Sequence, residues 1–124
     1  MSNAPTTLMG LVPLFRAVVR SATDAQTTDV TADDSGTLFV NLSTLTHAYT
    51  LPAVAFGAGK CWVFFNGDGS SPISVASTAA NLMGGNTTAT TMLSSSTEVG
   101  DCLMIICDGT NYYGMELFGS WGNT

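Results

Sequence analysis

Tyr49-Thr50-Leu51-Pro52-Ala53-Val54-Ala55-Phe56-Gly57-Ala58-Gly59-Lys60-Cys61-Trp62-Val63-Phe64-Phe65-Asn66-Gly67-Asp68-Gly69 decides the fold class of this 124-residue chain. It reads as the end of a strand, a bend, a buried strand and a tight turn. Pro52 lacks an amide donor and biases Leu51 away from helix, so Leu51-Pro52 closes one extended segment. Gly57 and Gly59 permit a sharp redirection. Cys61 to Phe65 is short, rich in β-branched and aromatic residues, and apolar on both faces, which predicts a strand covered on two sides. Asn66-Gly67 and Asp68-Gly69 end it with residues that accept positive φ.

Outward from that stretch, β signals recur at intervals of about ten residues, the spacing of a sandwich, jelly roll or small barrel. Asp33-Asp34-Ser35-Gly36 is a turn cluster and Thr37–Leu42 a strand. Ala48–Leu51 is a second extended piece, and Pro72–Ala76 reads as an edge strand or as a strand opened by proline. Ser77–Thr97 is rich in Ser, Thr and Gly and predicts loops with one or two short strands anchored by Leu82, Met83, Met92 and Leu93. Asp101–Cys107 is another strand apolar on both faces. Asp108-Gly109 turns it into a hairpin whose return runs from Thr110 to Phe118. Trp121 then packs on the core or on a neighbouring subunit.

Composition agrees with an all-β domain. The chain is 45% hydrophobic and only 10% charged, with a mean hydropathy of +0.30. About a quarter charged is usual. Ser, Thr, Asn and Gly supply a neutral polar covering, and they favour turns and strands over helix interiors. Such a balance fits either a large core or apolar surface hidden in an assembly. The length predicts one domain that buries roughly two thirds of its unfolded surface and needs no disulfides.

The N-terminal part is different. Met1–Thr7 is small and polar, and Leu8–Arg20 is apolar with Arg16 and Arg20, two of the three basic residues of the chain. Two readings stay open for 8–20: an arm that packs on a partner, or the first strand of the domain. The polar stretch Ser21–Thr28 reads as a linker. The expectation is therefore an arm and linker over 1–28 and a β-sandwich domain over 29–124, antiparallel or jelly-roll-like.

Chemistry is sparse. A net charge of −6 with three basic residues argues against nucleic acid and against an anionic membrane. Cys61, Cys102 and Cys107 lie in apolar runs and read as buried free thiols of a reducing compartment. His47 has no nearby ligands for zinc, and as a base beside Ser43 or a cysteine it is only what this composition produces. Gly57-Ala58-Gly59-Lys60-Cys61 resembles the end of a phosphate loop but lacks its upstream glycine and its Ser or Thr. Asp33, Asp34, Asp68, Asp101 and Asp108 all fall in turns, where two turns together could hold calcium. No catalytic, cofactor or metal residues are assigned, and an enzyme is not expected.

The order Asp34-Ser35-Gly36, Tyr49-Thr50-Leu51-Pro52-Ala53, Gly57, Gly59, Trp62 to Gly67 and Asp108 to Tyr113 resembles small β domains of tailed-bacteriophage virion proteins. These include capsid decoration (cement) proteins and segments of head and tail fibres. The resemblance covers about residues 29–121 and rests on turn and core positions. It implies a homotrimer, made in the host cytoplasm, that binds the major capsid protein on the outer capsid surface and stabilises the shell. Leu11, Leu14, Phe15, Arg16 and Arg20 of the arm are the expected capsid contacts. The alternative is a receptor- or carbohydrate-binding module of a fibre or spike, with Tyr112, Tyr113 and Trp121 as exposed stacking residues. A 124-residue chain opening with Met and showing no shaft repeats favours the decoration reading.

Overall fold

A computed structural model describes residues 16–22, 27–79, 81–84, 87–94 and 98–123. The first six strands alternate between two packed sheets. β1 (Arg16–Ala22), β3 (Thr37–Asn41) and β5 (Cys61–Asn66) belong to one sheet. Between them β2 (Thr27–Asp29), β4 (His47–Thr50) and β6 (Ile73–Ala76) belong to the other. The chain continues through β7 (Leu82–Gly84), β8 (Thr87–Ala89), β9 (Thr91–Ser94), β10 (Cys102–Cys107), β11 (Tyr112–Phe118) and β12 (Trp121–Asn123). The larger sheet runs β1-β3-β5-β10-β11-β7-β8 and the smaller β12-β9-β6-β4-β2.

The all-β sandwich expected from the sequence is what forms, but its pairing is mixed. β1, β3 and β5 are parallel to one another, and so are β2, β4 and β6. The cause is the alternation. Each strand crosses to the opposite sheet and spends its return there, so the chain re-enters the first sheet in its original direction. Hairpins appear only later, and β10 and β11 pair antiparallel across the turn at Gly109, which has φ 92°.

β1 pairs with β3 and β2 with β4, so described strands of both sheets lie within the stretch 1–28 expected as arm and linker. Residues 1–15 lie outside the described part. Pro72 stands just ahead of β6, which is an interior strand between β4 and β9 and not an edge. Among its described residues, Ser77–Thr97 contributes three strands where one or two were expected.

Aromatic rings join the layers. Phe39 and Phe64, on neighbouring strands of the larger sheet, stack with centroids 5.4 Å apart. Tyr49 of the smaller sheet tilts onto both, at 5.5 and 4.9 Å. Trp62, Leu103, Ile105, Tyr112, Ile73, Val75, Leu82, Met92 and Trp121 complete one continuous core. Each buried aromatic removes on the order of 150–250 Å² from water, so this layer dominates the stability.

Buried polar groups close the strand ends. Asn41 accepts from the Ser43 amide at 3.0 Å through its side chain and from the Gly67 amide at 2.8 Å through its carbonyl. Asn66 donates to the Ser71 carbonyl at 2.9 Å, and its backbone joins those of Gly100 and Asp101 at 2.8 Å each. The loops are thereby tied down without charge. Gly69 takes the expected left-handed turn at φ 85°. Gly67 is glycine for space, since a Cβ there would lie 2.9 Å from the Asn41 carbonyl oxygen.

Candidate functional site

Side chains alternate across a strand, so β5 and β10 present two different faces. Trp62, Phe64, Leu103, Ile105 and Cys107 point into the sandwich and are buried. Their neighbours Cys61, Val63, Phe65, Cys102, Met104 and Ile106 take the opposite face. The register aligns these with adjoining strands in apolar rows. One row is Leu38, Val63, Met104 and Met115; another is Val40, Phe65, Cys102 and Phe118; a third is Cys61, Ile106 and Tyr113.

The outward positions of β3, β5, β10 and β11 hold no charged residue. A groove of about 300 Å³ opens among Leu38, Val63, Met104 and Leu117. Val63 forms its floor and is 7% exposed. Beside it β11 bulges: the pairing steps from Leu103–Glu116 to Cys102–Phe118, which pushes out Leu117, 52% exposed, and Phe118, 65% exposed. Glu116 turns the other way and accepts a hydrogen bond from the Trp121 amide at 2.6 Å. The result is an uncharged apolar sheet face with a groove and an adjacent ridge.

Polar chemistry sits at one margin. Asp108 accepts from the amides of Thr110 and Asn111 at 2.8 and 2.7 Å and from the Tyr113 hydroxyl at 2.7 Å. The Asn111 amide first, then the Tyr113 hydroxyl and the Thr110 amide, hold its carboxyl below the usual range. Burial pushes the Cys102 thiol up, which keeps it protonated and weakly nucleophilic. Cys61 and Cys102 are half-buried and only Cys107 is buried, so two of the three thiols reach this outer face and are not core groups as expected.

The aromatic residues expected to be exposed divide. Tyr112 and Trp121 are core residues, because the alternation of β11 turns Tyr112 inward and β12 pairs with β9 over the sandwich. Tyr113 alone is exposed, at 37%. Of the expected capsid contacts, Arg16 and Arg20 lie in β1, in register with Thr37 and Phe39. Leu11, Leu14 and Phe15 lie outside the described residues. His47 is fully buried, with Nε2 2.7 Å from the Thr28 hydroxyl and its ring 4.5 Å from that of Tyr49. The Ser43 hydroxyl accepts from the Leu45 amide at 3.0 Å. The Lys60 carbonyl accepts from the Cys107 amide at 3.0 Å, joining β10 to the loop before β5. Among the described residues no group of three His, Cys, Asp or Glu could hold a metal ion, and no helix is long and apolar enough to cross a membrane.

The outer face went unidentified in the sequence even though its signal was present. Cys61–Phe65 and Cys102–Cys107 are apolar at both parities, and the second parity is this face. A scan against protein-family models and a search of curated proteins both return no match.

Proposed function

We propose that this protein is a structural subunit of a larger protein assembly, a capsid decoration protein of a tailed-bacteriophage virion. The observation that carries the structural part is the outer face of the larger sheet: four adjoining strands whose outward side chains are apolar and uncharged. Contiguous apolar surface of this kind marks a protein contact. The phage part rests on the resemblance of residues 29–121. With it come the homotrimer, the outer capsid surface as location and the major capsid protein as partner.

The function is stabilisation by added binding energy. A subunit that binds only the assembled shell lowers that state's free energy by about 2.7 kcal/mol per site when its concentration is 100 times Kd. No reaction is needed. The fibre or spike reading is weaker, because two of its three stacking aromatics are buried in the core.

Co-sedimentation of the purified protein with undecorated capsids tests the proposal. The comparison uses the full chain, a chain lacking residues 1–15 and a chain lacking 1–20. Saturable binding by the full chain supports the decoration role. The shorter deletion leaves β1 in place and isolates any contribution of Leu11, Leu14 and Phe15; the longer one removes most of an edge strand. Absence of saturable binding by the full, folded chain would overturn the role.

A further inference from the structure

We propose that the apolar stretch ahead of β1, residues 8–15, seats in the groove on the outer sheet face of its own chain. The inference concerns the chain by itself and does not rest on the phage reading. Position is the first argument. Arg16, the first described residue of β1, pairs with Thr37. The next residue of β3, Leu38, lines the groove and aligns across the sheet with Val63 and Met104. The chain ahead of Arg16 therefore joins the sheet two strands from Val63, the groove floor, and within one residue of its level. Reach is the second. The order β1-β3-β5-β10-β11 has four steps of about 4.8 Å, roughly 19 Å in all. Eight extended residues span about 26 Å. A run laid across the strands from β1 thus reaches Leu117 on β11, and Pro13 suits the change of direction that this path needs.

Chemistry is the third. None of the first fifteen residues is charged, and six of residues 8–15 are Leu, Met, Val or Phe. The groove of about 300 Å³ is lined by Leu38, Val63, Met104 and Leu117, all apolar. Leu14 and Phe15, nearest the tether, are the side chains that reach Leu38 and Val63 first, and the unbranched thioether of Met104 adapts to an incoming ring. Tethering decides between this occupant and a separate one. A short link holds the segment at an effective concentration on the order of 1 mM, so it fills the groove ahead of any free partner of equal affinity. An assembly partner then meets the seated segment together with the Phe118 ridge beside it.

Nuclear magnetic resonance on the full 12.8 kDa chain tests this. Nuclear Overhauser contacts are read between the methyl groups of Leu38, Val63 and Met104 and the side chains of residues 8–15. They are measured on the unaltered chain, so the result depends on no variant's folding. The expected result is contacts from Leu14 or Phe15 to Val63 and Met104. In a mixture of labelled and unlabelled chains, the same contacts are absent between chains. Leu14→Asp, with folding checked by circular dichroism, abolishes them, shifts the Met104 methyl signal and raises binding of an apolar fluorescent dye several-fold. No contact between residues 8–15 and the groove in the unaltered chain overturns the inference. So do contacts found only between chains, which would make a second copy the occupant, and a Met104 signal that Leu14→Asp leaves unchanged. The readout needs no capsid, so a seated segment in a chain that binds no capsid defeats only the decoration role. Capsid binding by a chain without these contacts defeats only this inference.

Discussion

The Tyr112 hydroxyl donates a hydrogen bond to the carbonyl of Pro52, sixty residues earlier in the chain. It ties the start of β11 to the bend that precedes β5. Tyr112 is fully buried, and its ring lies 6.2 Å from that of Trp62. Gly57, in the helical turn α1 (Val54–Gly57), allows the approach: a Cβ there would sit 3.2 Å from the Tyr112 hydroxyl and 3.1 Å from Cys107 Sγ. Tyr112→Phe keeps the ring and removes the donor. A loss of about 1 kcal/mol is expected from urea unfolding, since the Pro52 carbonyl loses its partner.

Tyr49→Phe should do the reverse. The Tyr49 hydroxyl is buried without a hydrogen-bond partner among the described residues, while its ring packs on Phe39, Phe64 and His47. Removing the oxygen removes a desolvated polar group and leaves the ring contacts. Stability should be unchanged or rise by up to about 1 kcal/mol in the same assay. A clear loss would show that the hydroxyl is satisfied in solution.

Gly67→Ala should destabilise strongly for a surface-loop position. Its Cβ would meet Leu42 Cδ2 at 2.8 Å, Val40 Cγ1 at 2.9 Å and the Asn41 carbonyl oxygen at 2.9 Å. The side chains can give way, but the carbonyl cannot move without breaking its bond from the Gly67 amide. A cost of about 1–3 kcal/mol is expected from thermal and urea unfolding.

Stability should fall at both ends of the pH scale, for different groups. Asp108 has its folded pKa below its usual 3.8, chiefly through the Asn111 amide. Its contribution is full above pH 3.8 and is lost as pH falls through the folded value. Asp108→Asn should flatten that acid limb. Tyr112 is pushed up from 10.0 to about 12 by burial, and burial raises Tyr49 as well. Above pH 10 the unfolded chain releases these protons first, so stability present below pH 10 is lost as pH rises toward 12. Urea midpoints across pH, with phenolate absorbance followed alongside, check both limbs.

Local features were legible where one residue type has one physical consequence. Cys61–Asn66 forms the strand its aromatic and β-branched residues predict, and the Asp108-Gly109 hairpin forms with Gly109 at positive φ. Gly67 looked like a turn glycine of the same kind. Its reason is instead a close approach to Asn41, a residue distant in sequence, and no local pattern reports that. The inward turn of Tyr112 against the outward turn of Tyr113 was equally hidden, because two adjacent tyrosines offer no clue to which parity meets the core.

The amino-acid sequence by itself determined that this chain is built of strands and where its firmest ones lie. Strand propensity, turn residues and the period-two pattern act over a few residues. It also determined that β5 and β10 are apolar on both faces. Only the tertiary structure decided the strand order, since parallel pairing follows from the chain crossing between sheets and not from any strand's own residues. It likewise decided which apolar face the smaller sheet covers. Two strands with identical patterning can be covered on both sides or on one, because burial depends on what the rest of the chain brings against them. Here the smaller sheet closes over Trp62, Phe64, Leu103 and Ile105, and the face of Leu38, Val63 and Met104 is left to the outside.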